Sequence, residues 1–496
     1  MIFILADDMG YGDVSHAGGL AATPHIDRLA KEGMRFTDAH TTSAVCTPTR
    51  YGILTGRYNW RSKLKKSVLW GMSEPLINEE RVTVPDFLKD HGYQTGIVGK
   101  WHLGLGWQFL PNGEKRKAVN GETKGKGWEI DYEKRVTSGP NEQGFEKSFI
   151  IPASLDMEPY VYLRDGTPTA IATHTKGFLK PFRPGPAAED FDAMYCLIDF
   201  AREARAFIKE SAKNEEKPFF LYLPLTSPHT PIIPSENWQG KSELGPYGDF
   251  VMETDWVVGE VLAELEAQGV DENTLVLFTA DNGCSPMAEI PELKEMGHKV
   301  NADWRGHKAD IYEGGHRVPF LVRWPAVVGA GKTTDATVCT SDFFATAAAL
   351  IGKSDAVPEN AAEDSFPFDK VLRGNVDDQV RPFTIHHSIN GSFAIRKGKW
   401  KLCLCPGSGG WSEPKPNKAL KDESLSVVQL FDLESDPAET KNVEAEHPEL
   451  IGQLVNDLAM AIRNGRTNVG PNQSNEGWPN TFPQKVLDRF PILSGE

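Results

Sequence analysis

Asp7-Asp8 and Asp281-Asn282 are adjacent pairs of hard oxygen donors, with no thiolate or imidazole among them. Such a set suits Ca²⁺, with Mg²⁺ second, and disfavours zinc. For any one of these residues a turn or a helix cap is the bland alternative, since Asp and Asn are common there. Lys100, His102, His229 and Lys308 add positive charge and groups able to move a proton. A tetrahedral anion between a divalent cation and two lysines would be held on both sides. His229 lies in Ser227-Pro228-His229-Thr230-Pro231, where flanking prolines present it rigidly, as a general acid requires. A surface loop histidine is the competing reading. Cys46 stands two residues before Pro48, a residue that opens helices, so it is expected at a helix N-terminus, where negative charge is stabilised. Arg50 falls one helical turn later, on the same face. Composition leaves Cys46 open between a nucleophile and a small buried hydrophobe. No partner spacing picks out a Cys/His protease, and a cysteine phosphatase would need a different phosphate loop.

What positions these residues is a set of strands. Ile2–Leu5 precedes Asp7, Gln94–Val98 precedes Lys100 and His102, Phe219–Leu225 precedes His229, and Thr274–Thr279 precedes Asp281. A further strand is expected at Pro319–Arg323, with helices at Pro24–Glu32, Val84–Asp90, Glu189–Ser211 and Asp249–Gln268. That alternation predicts an α/β fold with a mostly parallel sheet covered by helices. In such sheets ligands bind beyond the carboxyl ends of the strands. Polar side chains delivered there by four separate strands point to convergence rather than coincidence. Leu103 to about Ala188 is rich in Gly, Pro and charge and reads as long loops and insertions. Pro358–Gln379 reads as a boundary region, dividing a catalytic domain, 1–376, from a smaller one, 377–496. Strands at Phe393–Lys397, Trp400–Cys405 and Val428–Leu433 and a helix at Pro448–Arg463 make the second an α+β domain of antiparallel sheet plus helix.

With 40% hydrophobic and 25% charged residues the composition is that of an ordinary globular protein. The formal net charge of −16 argues against a nucleic-acid or membrane-surface binder but not against a local basic pocket. No apolar run approaches the roughly 18 residues of a membrane span. Met1 to Leu5 reads as a core strand with almost nothing before it, which favours a trimmed leader and a periplasmic or secreted protein. A cytoplasmic location follows if the chain is the full gene product. The six cysteines are too sparse for a disulfide scaffold, and Cys403-x-Cys405 reads as structural.

Cys46-Thr47-Pro48-Thr49-Arg50, continuing through Leu54-Thr55-Gly56-Arg57, closely resembles the signature of type I sulfatases, the arylsulfatase-like branch of the alkaline phosphatase superfamily. So do Ala6-Asp7-Asp8-Met9-Gly10, Gly99-Lys100-Trp101-His102, Ser227-Pro228-His229, Thr279-Ala280-Asp281-Asn282-Gly283 and the run from Lys308 to Gly315. Gly398-Lys399-Trp400-Lys401-Leu402 and Leu430-Phe431-Asp432-Leu433 resemble that family's small second domain. The resemblance covers essentially the whole chain in the expected order. It implies a large mixed, mostly parallel alkaline-phosphatase-like sheet. It also implies that Cys46 is oxidised by a formylglycine-generating or anaerobic sulfatase-maturating enzyme, the hydrated aldehyde (a gem-diol) carrying the nucleophilic oxygen. Asp7, Asp8, Asp281 and Asn282 would hold Ca²⁺, which also contacts this residue. Arg50 would stabilise the formylglycine, Lys100 and Lys308 would bind sulfate, and His229 would protonate the leaving oxygen. His102 would help return the sulfated diol to aldehyde.

The expected substrate is a terminal sugar of a sulfated polysaccharide. His307, beside Lys308, is a further candidate for contact near the sulfate. Asp156, Glu158, Tyr160, His174 and Arg183 lie in the long insertion as candidates for a sugar pocket. The basic stretch Arg57, Arg61, Lys63, Lys65 and Lys66 either reaches further anionic groups or forms a solvated loop. A phosphonate monoester or phosphodiester hydrolase of the same superfamily is the alternative enzyme. A non-catalytic sulfated-glycan-binding protein is the alternative from another class, and a binder has no need of a nucleophile and a proton donor together.

Overall fold

The computed structural model describes residues 1–177, 183–476 and 482–494. In chain order its strands are β1 (Ile2–Asp7), β2 (Met34–Phe36), β3 (Ala39–His40), β4 (Gln94–Lys100), β5 (Lys147–Ile151), β6 (Leu163–Arg164), β7 (Thr167–Pro168), β8 (Ala172–Lys176), β9 (Gly185–Ala188), β10 (Phe219–Pro228), β11 (Val276–Ala280), β12 (Phe320–Arg323), β13 (Lys332–Thr334) and β14 (Val338–Cys339). Ten of them form the main sheet, in the order β13-β2-β12-β11-β1-β10-β4-β5-β6-β7. Its centre is parallel: β11, β1, β10, β4 and β5 all run the same way. β12 runs against both β11 and β2, and β6 runs against β5. The sheet is therefore mixed and mostly parallel.

β1, β10 and β11 are largely apolar runs because both faces are covered, and every residue of them is buried. Helices α1 (Pro24–Glu32), α4 (Cys196–Ser211) and α5 (Gly245–Ala267) pack as one group. Helices α2 (Cys46–Thr55), α3 (Val84–Asp90) and the helix Phe343–Leu350 pack as another. α1 and α3 keep the expected ends, each with Pro in its first turn and α3 with a Thr83–Asp86 capping box. α4 starts later than the expected Glu189, because Asp192 first caps a short 3₁₀ turn, Ala193–Tyr195.

The largest departure lies between Leu103 and Ala188. That stretch was expected to be loops, yet it holds β5 to β9. β5 is a full member of the sheet, paired in parallel with β4. Its run Lys147-Ser148-Phe149-Ile150-Ile151 is short and sits among Gly, Pro and charge, so local pattern does not announce it.

A second, antiparallel sheet contains β15 (Thr384–His387), β16 (Phe393–Lys397), β17 (Trp400–Cys403) and β18 (Gln429–Asp432), in that order. The helix Pro448–Asn464 packs on β16 with Ile451, Leu454, Val455 and Leu458 turned inward. Tyr58 and Trp60, from the stretch after α2, are buried in this second core. The small sheet thus packs against the chain that leaves the Cys46 helix. All six cysteines are buried and free, as the structural reading of Cys403 and Cys405 requires.

Candidate active site

The five central parallel strands end together. Asp7 closes β1 and Asp8 follows it; Asp281 follows β11; His229 follows β10; Lys100 closes β4, with His102 just beyond. Asp8 and His102 turn the chain away with φ of +66° and +57°, a conformation L-residues seldom adopt. Cys46 is the first residue of α2, as its distance from Pro48 implies. α2 is buried along its whole length, so its polar side chains need partners: Thr49 bonds the Ser43 carbonyl and Thr47 the His102 carbonyl, at 2.9 and 3.1 Å.

The charged side chains pair closely. Lys100 Nζ lies 2.6 Å from Asp7 Oδ2, Lys308 Nζ 2.6 Å from Asp8 Oδ1, and Arg50 Nη2 2.7 Å from Asp281 Oδ2. Arg50 also donates to the Lys100 carbonyl at 3.0 Å. Asn282 Nδ2 donates to Asp8 Oδ1 at 2.8 Å, and the Asp8 amide to Asp281 Oδ1 at 3.2 Å. Burial alone would raise the Asp7 carboxyl, but Lys100, His229, Arg50 and Lys308 outweigh it and hold Asp7 well below the usual range. Asp281 goes the other way: burial and the Asp7 charge beside it push it up against the pull of Arg50. Burial also opposes the Lys308 charge, and Asp8 more than offsets that. The Cys46 thiol is pushed up by burial, although Lys100 and Lys308 favour the thiolate.

Two oxygens of this cluster, Asp7 Oδ1 and Asn282 Oδ1, are buried without a hydrogen-bond partner among the described residues. Orphaned acceptors in a dry site are costly, and a hard cation would satisfy them. Asp7, Asp8 and His229 offer ligand atoms within 4.8 Å of one another. The all-oxygen set of Asp7, Asp8, Asp281 and Asn282 therefore fits a divalent metal.

His102 and His229 each have one nitrogen committed to a backbone carbonyl. His102 Nε2 donates to the Leu69 carbonyl at 2.8 Å, leaving Nδ1 buried, unprotonated and unpartnered among the described residues. Burial, reinforced by Lys100, keeps this ring neutral, far below the ordinary histidine value. His229 Nδ1 donates to the Thr230 carbonyl at 2.5 Å, so Nε2 is the atom that faces Asp8 Oδ2, 3.6 Å away. Ser154, just past β5, places Oγ 3.1 Å from His229 Nδ1 and 3.4 Å from Lys100 Nζ. Sequence reasoning missed Ser154; only the pairing of β5 with β4 brings it here. His307 stands beside Lys308 with both ring nitrogens in use, Nδ1 on the Lys308 carbonyl and Nε2 on Ser412 Oγ.

One expectation, that for Arg57 and Arg61, is corrected. Arg57 and Arg61 neither reach toward a ligand nor lie in a solvated loop. Arg61 is fully buried on Asp364, and Arg57 on Glu363, where they join α2 to the segment ahead of the second sheet. Glu158 packs against Gly125, Gly127 and Gly185, and His174 lies on β8 bonded to Thr173. Asp156 and Arg183 meet, at 3.2 Å, and the Tyr160 hydroxyl holds the Arg183 carbonyl. Sequence reasoning also missed a buried polar cluster between the two sheets, where His40, His316 and His386 meet Asp38, Glu313, Arg396 and Lys401. Lys401 Nζ sits 3.0 Å from His316 Nε2, and Arg396 bonds the His40 ring. Lys401 and Arg396 thus take up ring nitrogens of His316 and His40, and the cluster joins the two sheets.

The chain is similar to known proteins over nearly its whole length. The model of the sulfatase family matches residues 1–353. An N-acetylgalactosamine-6-O-sulfatase of Bacteroides thetaiotaomicron is 34% identical, covering 92% of this chain and 91% of that protein. Human arylsulfatase A is 30% identical over 96% of this chain and 90% of its own length. A solved structure described under the metabolism of multiple glycosaminoglycans by Bacteroides thetaiotaomicron superposes with a TM-score of 0.78 at 32% identity, covering 93% of this chain and 98% of that one. The chain belongs to the sulfatase family, in its type I, arylsulfatase-like branch, and is a sulfuric ester hydrolase.

Proposed function

We propose that this enzyme removes sulfate from a sulfated carbohydrate, acting on a terminal sugar, with Cys46 converted to formylglycine as the nucleophilic residue and Ca²⁺ as its cation. The observation that carries this reading is the convergence of Cys46, two lysines and two histidines on one oxygen-lined cluster beyond the central strands. The relative at 34% identity, an N-acetylgalactosamine-6-O-sulfatase, supports the carbohydrate substrate. The raised pKa of the buried Cys46 thiol supports the need for conversion, because a protonated thiol is a poor nucleophile. Formylglycine supplies an oxygen nucleophile at that position. A bound divalent cation supplies charge that stabilises the sulfate oxygens and eases loss of the nucleophile's proton.

The chain's own residues do the rest. Lys100 and Lys308 reach the sulfate from opposite carboxylates, each with its ammonium already placed and dehydrated, so little reorganisation precedes the reaction. His229 gives the proton on Nε2 to the leaving alcohol oxygen while the Thr230 carbonyl fixes its tautomer. His102 accepts a proton at the free Nδ1. Arg50 holds Asp281 in place, and His307 orients the Lys308 backbone. The maturing enzyme would act where such enzymes are found, and a periplasmic or secreted location goes with a polysaccharide substrate. No helix among the described residues is long and apolar enough to cross a membrane.

The test is anion release after co-expression with a formylglycine-generating enzyme and addition of Ca²⁺, on defined sulfated mono- and disaccharides, an aryl sulfate and a phosphonate monoester. Sulfate released from one sugar isomer is expected. Activity on the phosphonate alone would overturn the reading.

A further inference from the structure

Two segments that hold the catalytic histidines continue into a polar and aromatic wall that no step above uses. Leu69 accepts the His102 bond, and the next residue, Trp70, is 48% exposed with the Arg183 guanidinium stacked 4.3 Å from its ring centre. Ser154 bonds His229 and Lys100, and two residues on, Asp156 pairs with Arg183. Arg183 Nη1 is spent on Asp156, at 3.2 Å to Oδ2 and 3.1 Å to the backbone oxygen. The other Asp156 oxygen, Oδ1, is buried without a partner among the described residues. Lys100, His229 and Lys308 all lie near enough to keep this carboxylate ionised against its burial.

We propose that Trp70, Asp156 and Arg183 form the subsite for the sugar ring that carries the sulfate, with Asp156 Oδ1 accepting a hydrogen bond from a free hydroxyl or amide N–H beside the sulfated carbon. The inference rests on the carbohydrate reading above and adds a rule of specificity. An ionised carboxylate only accepts hydrogen bonds, so the neighbouring position of the substrate must donate one. A second sulfate there would set its charge against the Asp156 carboxylate and is refused. Trp70 offers an apolar face for the ring, and the Arg183 nitrogens not used on Asp156 are donors for a sugar oxygen. The wall thus selects a singly sulfated ring with a free donor next to the ester.

The experiment uses the matured, Ca²⁺-loaded enzyme. It compares kcat/KM for a monosulfated sugar, the same sugar methylated or sulfated at the adjacent hydroxyl, and an aryl sulfate. In the wild type the blocked sugars are expected to lose at least tenfold. In Asp156→Asn the ratio of sugar-sulfate to aryl-sulfate kcat/KM should fall about 10- to 100-fold, the range of one hydrogen bond to a charged group. Trp70→Ala, at an exposed position where folding is not at stake, should lower the same ratio, chiefly through KM. Titration of the monosulfated sugar into Cys46→Ala with and without Asp156→Asn should show the same weakening in Kd. Equal losses on sugar and aryl esters would overturn the subsite, because Asp156 would then act only through the charge of His229. Turnover of sugar sulfates with an unchanged ratio would also sink the subsite and leave the substrate reading standing. Turnover of the aryl sulfate with none of any sugar would sink the carbohydrate reading itself.

Discussion

Lys308 and Asp8 are 300 positions apart and meet at 2.6 Å, both buried. The pair fixes the segment after the Asp281 strand against the end of β1, and it supplies the site with one of its two lysines. Removing Lys308 takes the nearest cation away from the buried Asp8 carboxylate. Lys308→Ala is therefore expected to cost about 3–5 kcal/mol of stability and about 10²–10³ in kcat. Chemical denaturation and sulfate release check both. An unchanged denaturation midpoint would show that the pair holds nothing.

His229 Nε2 is the proton donor on this account, so its value depends on the leaving group. His229→Ala is expected to slow alkyl and sugar sulfates by about 10²–10⁴ while activated aryl esters lose much less. A leaving-group series on the variant is the measurement. A uniform loss across the series would reassign His229 to binding.

The orphaned oxygens of Asp7 and Asn282 are expected to make the fold itself sensitive to metal. Ca²⁺ at about a hundred times its Kd is expected to add about 2.7 kcal/mol to stability, and a chelator should take it away. Mg²⁺ should do less. Asp7→Asn should abolish the thermal response to Ca²⁺, whether or not Cys46 has been converted. A melting curve indifferent to both ions and chelator would mean the cluster does not bind them.

Arg61 makes a bidentate pair with Asp364, at 2.7 and 2.9 Å, entirely out of water. Arg61→Ala is expected to destabilise the protein by about 3–5 kcal/mol and to leave KM for the sulfated sugar unchanged in the folded fraction. Urea unfolding together with substrate titration separates the two effects. A raised KM with normal stability would return Arg61 to the glycan.

Much of the fold was legible because its central strands are local signals. β1, β10 and β11 are apolar runs followed by polar residues, and in a doubly covered sheet such runs have nowhere to go but the middle. Cys46, Pro48 and Arg50 likewise announce a helix start by spacing alone. β5 was not legible, being too short and too mixed, and with it Ser154 was lost.

The amino-acid sequence by itself determined which side chains end the strands, which residue opens α2, and the family whose motifs these are. Those features depend on neighbours a few positions away. Tertiary structure alone decided which charges meet. Lys308 found Asp8, Arg61 found Asp364 rather than solvent, and Asp156 came to face Arg183 beside Trp70. Each of those pairings joins segments whose separation carries no local pattern. Whether a charge serves catalysis, binding or the core depends on the water its neighbours exclude, and only the folded chain sets that.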